Sequence, residues 1–438
     1  MPLNLSSDQQ TALANIMANI ARKPDNGFGT CVLTGSAGTG KTTTVQEIIE
    51  TLSSFGRKYH LTATTHKAAK VLSNIVGEEV TTVHNLFSLR PSVTKSGVET
   101  ILYNKNSQPN FRGNSVIIID EASMVNTEMF KILAEIAKNY SLFLLFVGDG
   151  YQLPPTTGKC PIFDGTLPTY KLTTVHRQNQ GNPILDKAIE YRDYIDGTIS
   201  KEPTLETNIN SKGEGIHVLD RQEFCKKFVG MYLDYDTGAE VTTPLCTFTN
   251  ASAINYNNMV RNSAYLLEDT IEPFYKGERL VSNTAVIDGS SGSVLLANND
   301  EIIVVNYAPS VYIYTSHVTT KYKMPSYRVE VQHVDTEKRT VVSVPRTPED
   351  FNNLKKELKK LVASTESDFQ WVDYYREINE IADLRPPFAG TTHKAQGGTF
   401  DSVFIDKKNI DTCIDSKVRA RLMYVALTRA RKDVYINA

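Results

Sequence analysis

The chain opens on a repeated pattern. An apolar run short enough for a strand is followed by a turn, then by a stretch with apolar residues three and four apart. Residues 30–34 are the first such run and lead through a glycine-rich turn to a helical stretch at 41–54. Residues 59–63 lead to 66–76, residues 116–119 lead to 126–138, and 142–147 end at Gly148-Asp149. Strand and helix alternating at this spacing predict right-handed crossovers and a mainly parallel sheet, an α/β fold whose ligands sit beyond the carboxyl ends of the strands. Residues 89–111 break the pattern. They are polar, include Pro91 and Lys95-Ser96-Gly97, and hold one short apolar stretch at 100–103, which predicts a protruding hairpin. Between about 170 and 258 the pattern resumes, with 184–194 amphipathic and 244–248 strand-like. Beyond Ser263, short strand patterns at 294–296, 302–307 and 327–331 suggest a small β-barrel or sheet insertion. Leu354, Leu358 and Leu361 fall on one helical face, and the last 50 residues return to strand and helix alternation.

Composition narrows the class. With 438 residues, 40% hydrophobic and 22% charged, the chain has the make-up of a multidomain globular protein. Its longest apolar runs, 116–119 and 142–147, are far below the roughly 18 residues of a membrane span, so no membrane partner is expected. The start, Met-Pro-Leu-Asn-Leu-Ser-Ser-Asp, has neither the basic residues nor the apolar stretch of a signal peptide, and a cytoplasmic location is expected. Cys31, Cys160, Cys225, Cys246 and Cys413 are odd in number and never spaced C-x-x-C, which argues against a disulfide framework or a zinc site. The 47 basic and 49 acidic residues leave a net charge of −2, so any nucleic-acid binding has to come from local grooves.

Three strand ends carry chemistry. Gly35-Ser36-Ala37-Gly38-Thr39-Gly40-Lys41-Thr42 follows a strand and opens a helix, the pattern and context of a phosphate-binding loop. Its glycines let backbone N–H groups curl around phosphate oxygens, Lys41 reaches the β- and γ-phosphates, and Thr42 offers an oxygen to Mg²⁺. Asp120-Glu121 ends the apolar strand that begins at Val116. In isolation such a pair is a common helix cap; beside a phosphate loop it becomes a Mg²⁺ ligand, Asp120, and a base for the attacking water, Glu121. Gly148-Asp149-Gly150-Tyr151-Gln152-Leu153-Pro154 is an ordinary turn on its own, but it puts the Gln152 amide where a γ-phosphate sensor would stand.

These motifs, with Thr392-His393-Lys394-Ala395-Gln396-Gly397 and Tyr424-Val425-Ala426-Leu427-Thr428-Arg429-Ala430, resemble superfamily 1 helicases. Within them they resemble the 5′ to 3′ branch of RecD-like and Dda-like proteins. The motifs run in the family's order from Gln9 to Arg431, and the segment from about 258 to 388 matches weakly.

The resemblance implies two RecA-like parallel-sheet domains with two insertions. Residues 1–170 would be domain 1A, with 89–111 inserted as a pin hairpin, domain 1B. Residues 171–257 and 386–438 would be domain 2A, and 258–385 an SH3-like barrel and tower, domain 2B. The family's catalytic set maps to Lys41, Thr42, Asp120, Glu121, Gln152, Arg177 and Arg429, the two arginines suited to a developing phosphoryl charge. ATP would be held by Gln9, Gly35, Ala37, Gly38, Thr39, Gly40, Lys41, Thr42, Thr43 and Gly397, with Mg²⁺ on Thr42 and Asp120. Gln9 reads equally as an adenine contact or as a surface residue after a helix cap at Ser6 or Ser7.

DNA would be met by Thr65, His66, His84, Thr249, Asn250, Thr392 and His393, groups suited to phosphate contacts. Tyr103 stands where the family carries a fork-stacking aromatic, or else packs on its own domain. Thr64 departs from the proline usual in the family. The partners implied are single-stranded and forked duplex DNA, with single-strand-binding or replication proteins, for a monomer in the cytoplasm, that of a host cell for a bacteriophage protein. The expected activity is ATP-driven 5′ to 3′ unwinding. The alternative is a nucleic-acid-stimulated NTPase that remodels complexes or RNA without processive unwinding.

Overall fold

Val116, Ile117, Ile118 and Ile119 are all fully buried, which a strand achieves only when both faces of its sheet are covered. In the computed structural model Ile117 and Ile119 lie in one cluster with Leu144, Phe146, Met129, Leu133 and Ile136. Val116 and Ile118 lie in another with Leu145, Val147, Ile16, Val45, Ile48 and Leu52. The structure describes residues 5–22, 28–93, 99–103, 111, 113–155, 157–174, 182–232, 241, 243–264, 272–315, 321–364 and 369–437. They divide into two units: Met1–Arg90, Ile101–Leu219 and Ala395–Ala438 in the first, Pro91–Thr100 and Asp220–Lys394 in the second.

The first unit holds a six-stranded sheet in the order Thr81–Thr82, Tyr59–Ala63, Val116–Asp120, Phe143–Gly148, Gly29–Gly35, Thr169–Leu172. Every neighbouring pair is parallel, as the alternation predicts. The helix Lys41–Ser54 buries Val45, Ile48, Ile49 and Leu52, a stripe at helical spacing in which each aliphatic side chain contributes about 1.5–3 kcal/mol. The helix His66–Val76 starts where the Thr65 side chain accepts from the Ala68 N–H, and it ends at Gly77, whose φ of 72° suits a glycine. Thr127–Asn139 is capped in the same way, with the Asn126 side chain accepting from the Met129 N–H.

Three further strands of this unit, Phe400–Ile405, Ala430–Asn437 and Gly215–Leu219, run parallel, with Asn208–Ile209 antiparallel at the edge. Helices Pro183–Asp196 and Ser416–Arg429 pack on each other. The latter is buried at every residue from Leu422 to Arg429. Strands Leu89–Val93 and Glu99–Tyr103 form a two-stranded sheet inside the segment expected to be a hairpin. Residues 94–98 and 104–110 of that segment lie outside the described residues.

In the second unit Leu245–Thr247 runs parallel to Ala389–Thr391, followed in sequence by the helix Asn250–Ala264. Its main feature is an antiparallel sheet in the order Arg339–Pro345, Lys321–His333, Glu301–Thr315, Arg279–Ser282, Leu384–Arg385. The central strands are 15 and 13 residues long, far beyond the 302–307 and 327–331 read from the sequence. Their outer halves carry Tyr312, Tyr314, Tyr322 and Met324, which cluster with side chains of helices Pro348–Ala363 and Trp371–Asn379, while Val311 and Ile313 between them are exposed. Leu354 and Leu358 are fully buried there and Leu361 partly, beside Phe369, Trp371, Tyr374 and Tyr375. No helix among the described residues is long and apolar enough to cross a membrane.

Candidate functional site

The phosphate loop links the Gly29–Gly35 strand to the Lys41–Ser54 helix at the carboxyl edge of the parallel sheet. Gly38 and Gly40 have φ of 85° and 77°, a backbone that side-chain-bearing residues avoid. A Cβ on Gly35 would stand 2.4 Å from Thr39 Oγ1. Lys41 Nζ donates to the carbonyls of Gly35 at 2.7 Å and Ser36 at 3.1 Å, and Thr39 Oγ1 donates to the Ser36 carbonyl at 2.9 Å. The ammonium is thus held over its own loop, aimed by the same fold that exposes the amides. Ala37, Thr42 and Thr43 are half-buried in this loop and the first helical turn.

Gln9 is buried, not at the surface. Its Oε1 accepts from the Ser6 N–H at 2.8 Å, closing a capping box, and its Nε2 donates to the Thr39 and Gly40 carbonyls at 3.4 and 3.3 Å. The helix start and the phosphate loop therefore share one side-chain amide. Asp8 beside it accepts from the N–H groups of Thr173 and Thr174 at 2.8 and 2.9 Å. Although burial pushes the other way, these bonds and that from Ser6 bring its carboxyl well below the usual range. Arg177 lies outside the described residues.

Asp120 and Glu121 stand at the end of the neighbouring strand but one, with the Glu121 N–H donating to Asp120 Oδ1 at 2.9 Å. Burial raises the pKa of Asp120, opposed by that hydrogen bond and by Lys41. Burial, then the charge of Asp120, pushes Glu121 up to about 7, with Arg429 and Lys41 pulling against them. A carboxyl poised there can accept a proton near neutral pH. The Asp120 carboxylate and the Thr42 hydroxyl are hard oxygen donors, and a buried carboxylate short of positive charge fits a divalent cation such as Mg²⁺.

Helix Ser416–Arg429 brings a group of residues to this region that the motifs alone do not single out. The Tyr424 hydroxyl donates to Asp149 Oδ2 at 2.6 Å and accepts from the Ala37 N–H of the phosphate loop. Arg421 donates to the carbonyls of Gly150 and Gln152 at 2.6 and 2.8 Å. Gln396 Nε2 donates to Gln152 Oε1 at 3.2 Å. Arg429 is buried, bonded to the carbonyls of Val425 and Gly398 at 3.2 and 3.0 Å and to Thr428 Oγ1 at 3.1 Å. Its charge opposes the rise in the pKa of Glu121. The structure thus gathers Lys41, Asp120, Glu121, Gln152 and Arg429 with Asp149, Gln396 and Tyr424. Asp149, Tyr424 and Gln396 lie within the quoted motifs, and Tyr424, an aromatic in a stretch buried at every residue from Leu422 to Arg429, carried no local sign of a polar task.

The residues expected at DNA fall in both units. In the first, His66 and His84 are close enough to interact electrostatically, and burial, then His66, lowers the pKa of His84. Thr65 spends its hydroxyl as a helix cap. Tyr103 packs against the core of its own unit with its hydroxyl bonded to Tyr140. Gly397 abuts Ala68, where a Cβ would come within 3.2 Å of the alanine Cβ. In the second unit Thr392 is fully buried, its Oγ1 donating to the Thr247 carbonyl at 3.0 Å. Burial lowers the pKa of His393. Asn250 Oδ1 accepts from Arg385 at 3.3 Å, and Thr249 Oγ1 accepts from the Ser252 N–H at 3.3 Å.

Residues 4–193 match the AAA domain family and residues 387–437 the UvrD-like helicase C-terminal domain. The chain is 26% identical over 457 residues to the ATP-dependent DNA helicase dda of Enterobacteria phage T4, covering 99% of each protein. The chain resembles the Dda-like superfamily 1 helicases. The Dda likeness spans 258–385 as well, where the motifs gave little. The ATP-dependent RecD2 DNA helicase of Deinococcus radiodurans is 35% identical over 161 residues, 36% of this chain and 21% of that protein. A crystal structure of Pif1 helicase from Candida albicans aligns over 99% of this chain and 95% of its own at 18% identity, with a TM-score of 0.42.

Proposed function

We propose that the protein is an ATP-dependent DNA helicase that moves 5′ to 3′ on single-stranded DNA and separates duplex at a fork. The observation that carries this reading is the meeting of the phosphate loop, the Asp120-Glu121 pair and Arg429 at one edge of the first unit, in a chain similar to dda from end to end. Lys41 and the loop amides bind the phosphates of ATP, with Thr42 and Asp120 holding Mg²⁺, which supplies charge neutralisation at the phosphates. Glu121 takes the proton of the attacking water. Arg429, and Arg177 by the family pattern, stabilise the charge that develops on the transferred phosphoryl group.

Gln152 sits on a loop that Arg421, Gln396 and Tyr424 hold from the carboxyl-terminal segment, which supports a role in reporting the state of the γ-phosphate to that segment. Thr65, His66 and His84 in one unit and Thr249, Asn250 and His393 in the other are the proposed contacts to DNA phosphates. Thr392 would act from behind them through the Thr247 backbone. Residues 1–170 and 171–257 with 386–438 form the two RecA-like domains in this reading, 89–111 the pin, and 258–385 the SH3-like barrel and tower. The long antiparallel pair Glu301–Thr315 and Lys321–His333 supports a rigid insertion.

A forked duplex with a 5′ single-stranded arm tests the proposal. Strand separation that needs ATP and is lost by orders of magnitude in Lys41→Ala is the expected result. DNA-stimulated hydrolysis without separation identifies a remodelling NTPase instead.

A further inference from the structure

Thr64 stands one residue beyond the last register pair of two neighbouring strands, Ala63 opposite Asp120. Its N–H donates to the Asp120 carbonyl at 3.3 Å, and its Oγ1 donates to the Glu121 carbonyl at 3.1 Å. Two bonds thus carry the ladder past the end of the sheet and onto the backbone of the acidic pair. Glu121 needs such a hold. Its φ of 51° and ψ of 43° are left-handed, a conformation in which a Cβ crowds the neighbouring carbonyl and which a non-glycine residue keeps only when its surroundings fix it. On the other side of Thr64, Thr65 caps the helix His66–Val76 through the Ala68 N–H at 3.2 Å. One side chain therefore stands between the segment bearing Thr65 and His66 and the peptide that aims the Glu121 carboxyl.

We infer that Thr64 is a positioning residue for ATP hydrolysis: its hydroxyl fixes the Glu121 peptide and transmits displacement of the Thr65-His66 segment to it. The inference rests on Glu121 being the base. A valine at 64 keeps the shape of threonine and removes the hydroxyl donor, a serine keeps the donor, and a proline could supply neither bond.

The test is steady-state ATPase of the full chain, with and without saturating oligo-dT, for wild type, Thr64→Val and Thr64→Ser, with melting temperatures alongside. Losing one orienting hydrogen bond corresponds to about a tenfold fall in DNA-stimulated kcat for Thr64→Val, with KM for ATP within about twofold of wild type. The ratio of DNA-stimulated to unstimulated rate falls with it, and Thr64→Ser restores both. Wild-type kcat and stimulation in Thr64→Val overturn the inference. So does a loss that follows a lowered melting temperature and is not rescued by serine. Glu121→Gln run in parallel keeps the two readings apart, because hydrolysis at the wild-type rate in that variant removes Glu121 as the base whatever Thr64→Val does.

Discussion

Glu121 is where burial and charge most directly set chemistry. Its carboxyl is raised from 4.5 to about 7, so the fraction able to accept a proton shrinks as pH drops through neutrality. The DNA-stimulated rate should show an acid limb near pH 7, and Glu121→Gln should bind nucleotide yet turn over slowly at every pH. The same shift acts on stability with a definite sign. Between 4.5 and about 7 the folded chain holds a proton that the unfolded chain has released, so stability falls as pH rises through that window and levels off above it. Without nucleotide, the melting temperature of Glu121→Gln should therefore gain on wild type between pH 5 and pH 8. A constant difference across that range would show that the carboxyl is not raised in the folded protein. Gln9 makes a related point about single residues. The sequence left it as a nucleotide contact or a surface side chain, and the fold buries it with both ends of its amide engaged.

At the scale of elements, Ser416–Arg429 does more than its pattern suggests. It is nearly all apolar inward, yet Arg421 and Tyr424 tie it to the loop after the Phe143–Gly148 strand and to the phosphate loop, while its last residue is Arg429. Tyr424→Phe keeps the ring and removes the hydroxyl, leaving a buried Asp149 oxygen and the Ala37 N–H each short of a partner. Such unsatisfied groups cost about 1–3 kcal/mol, enough to lower the melting temperature by several degrees. Calorimetry with ATPase assays should find lower stability and a lower kcat together; an unchanged melting temperature would show that this bond contributes nothing. Element boundaries were most legible where one face is unambiguously apolar. Lys41–Ser54, Tyr59–Ala63 and His66–Val76 begin and end where the periodicity places them. Glu301–Thr315 and Lys321–His333 outran it because their outer halves are stabilised by helices distant in sequence, which tolerate Lys, Ser and Pro between the aromatic positions.

For the whole molecule, net charge and proposed DNA contacts pull in opposite directions. At −2 overall the protein has no general attraction for DNA, so its binding must come from local contacts to phosphates. Affinity for single strands should then fall steeply with salt, with a log–log slope of about −0.7 for each phosphate neutralised, and should vary little with base sequence. Fluorescence anisotropy across a salt series checks this, and a flat response would rule out a phosphate-tracking groove. What the sequence alone determined are the features whose cause is local: a glycine loop that must adopt positive φ, a helix with one apolar stripe, an acidic pair at the end of a strand buried on both faces. The contacts that make a site of them were decided only by the tertiary structure. Tyr424 reaches Asp149 across 275 positions and Thr64 reaches Glu121 across 57. A hydrogen bond between residues so far apart leaves no period or composition in the chain, because its partners are chosen by how strands and helices stack rather than by their neighbours in sequence.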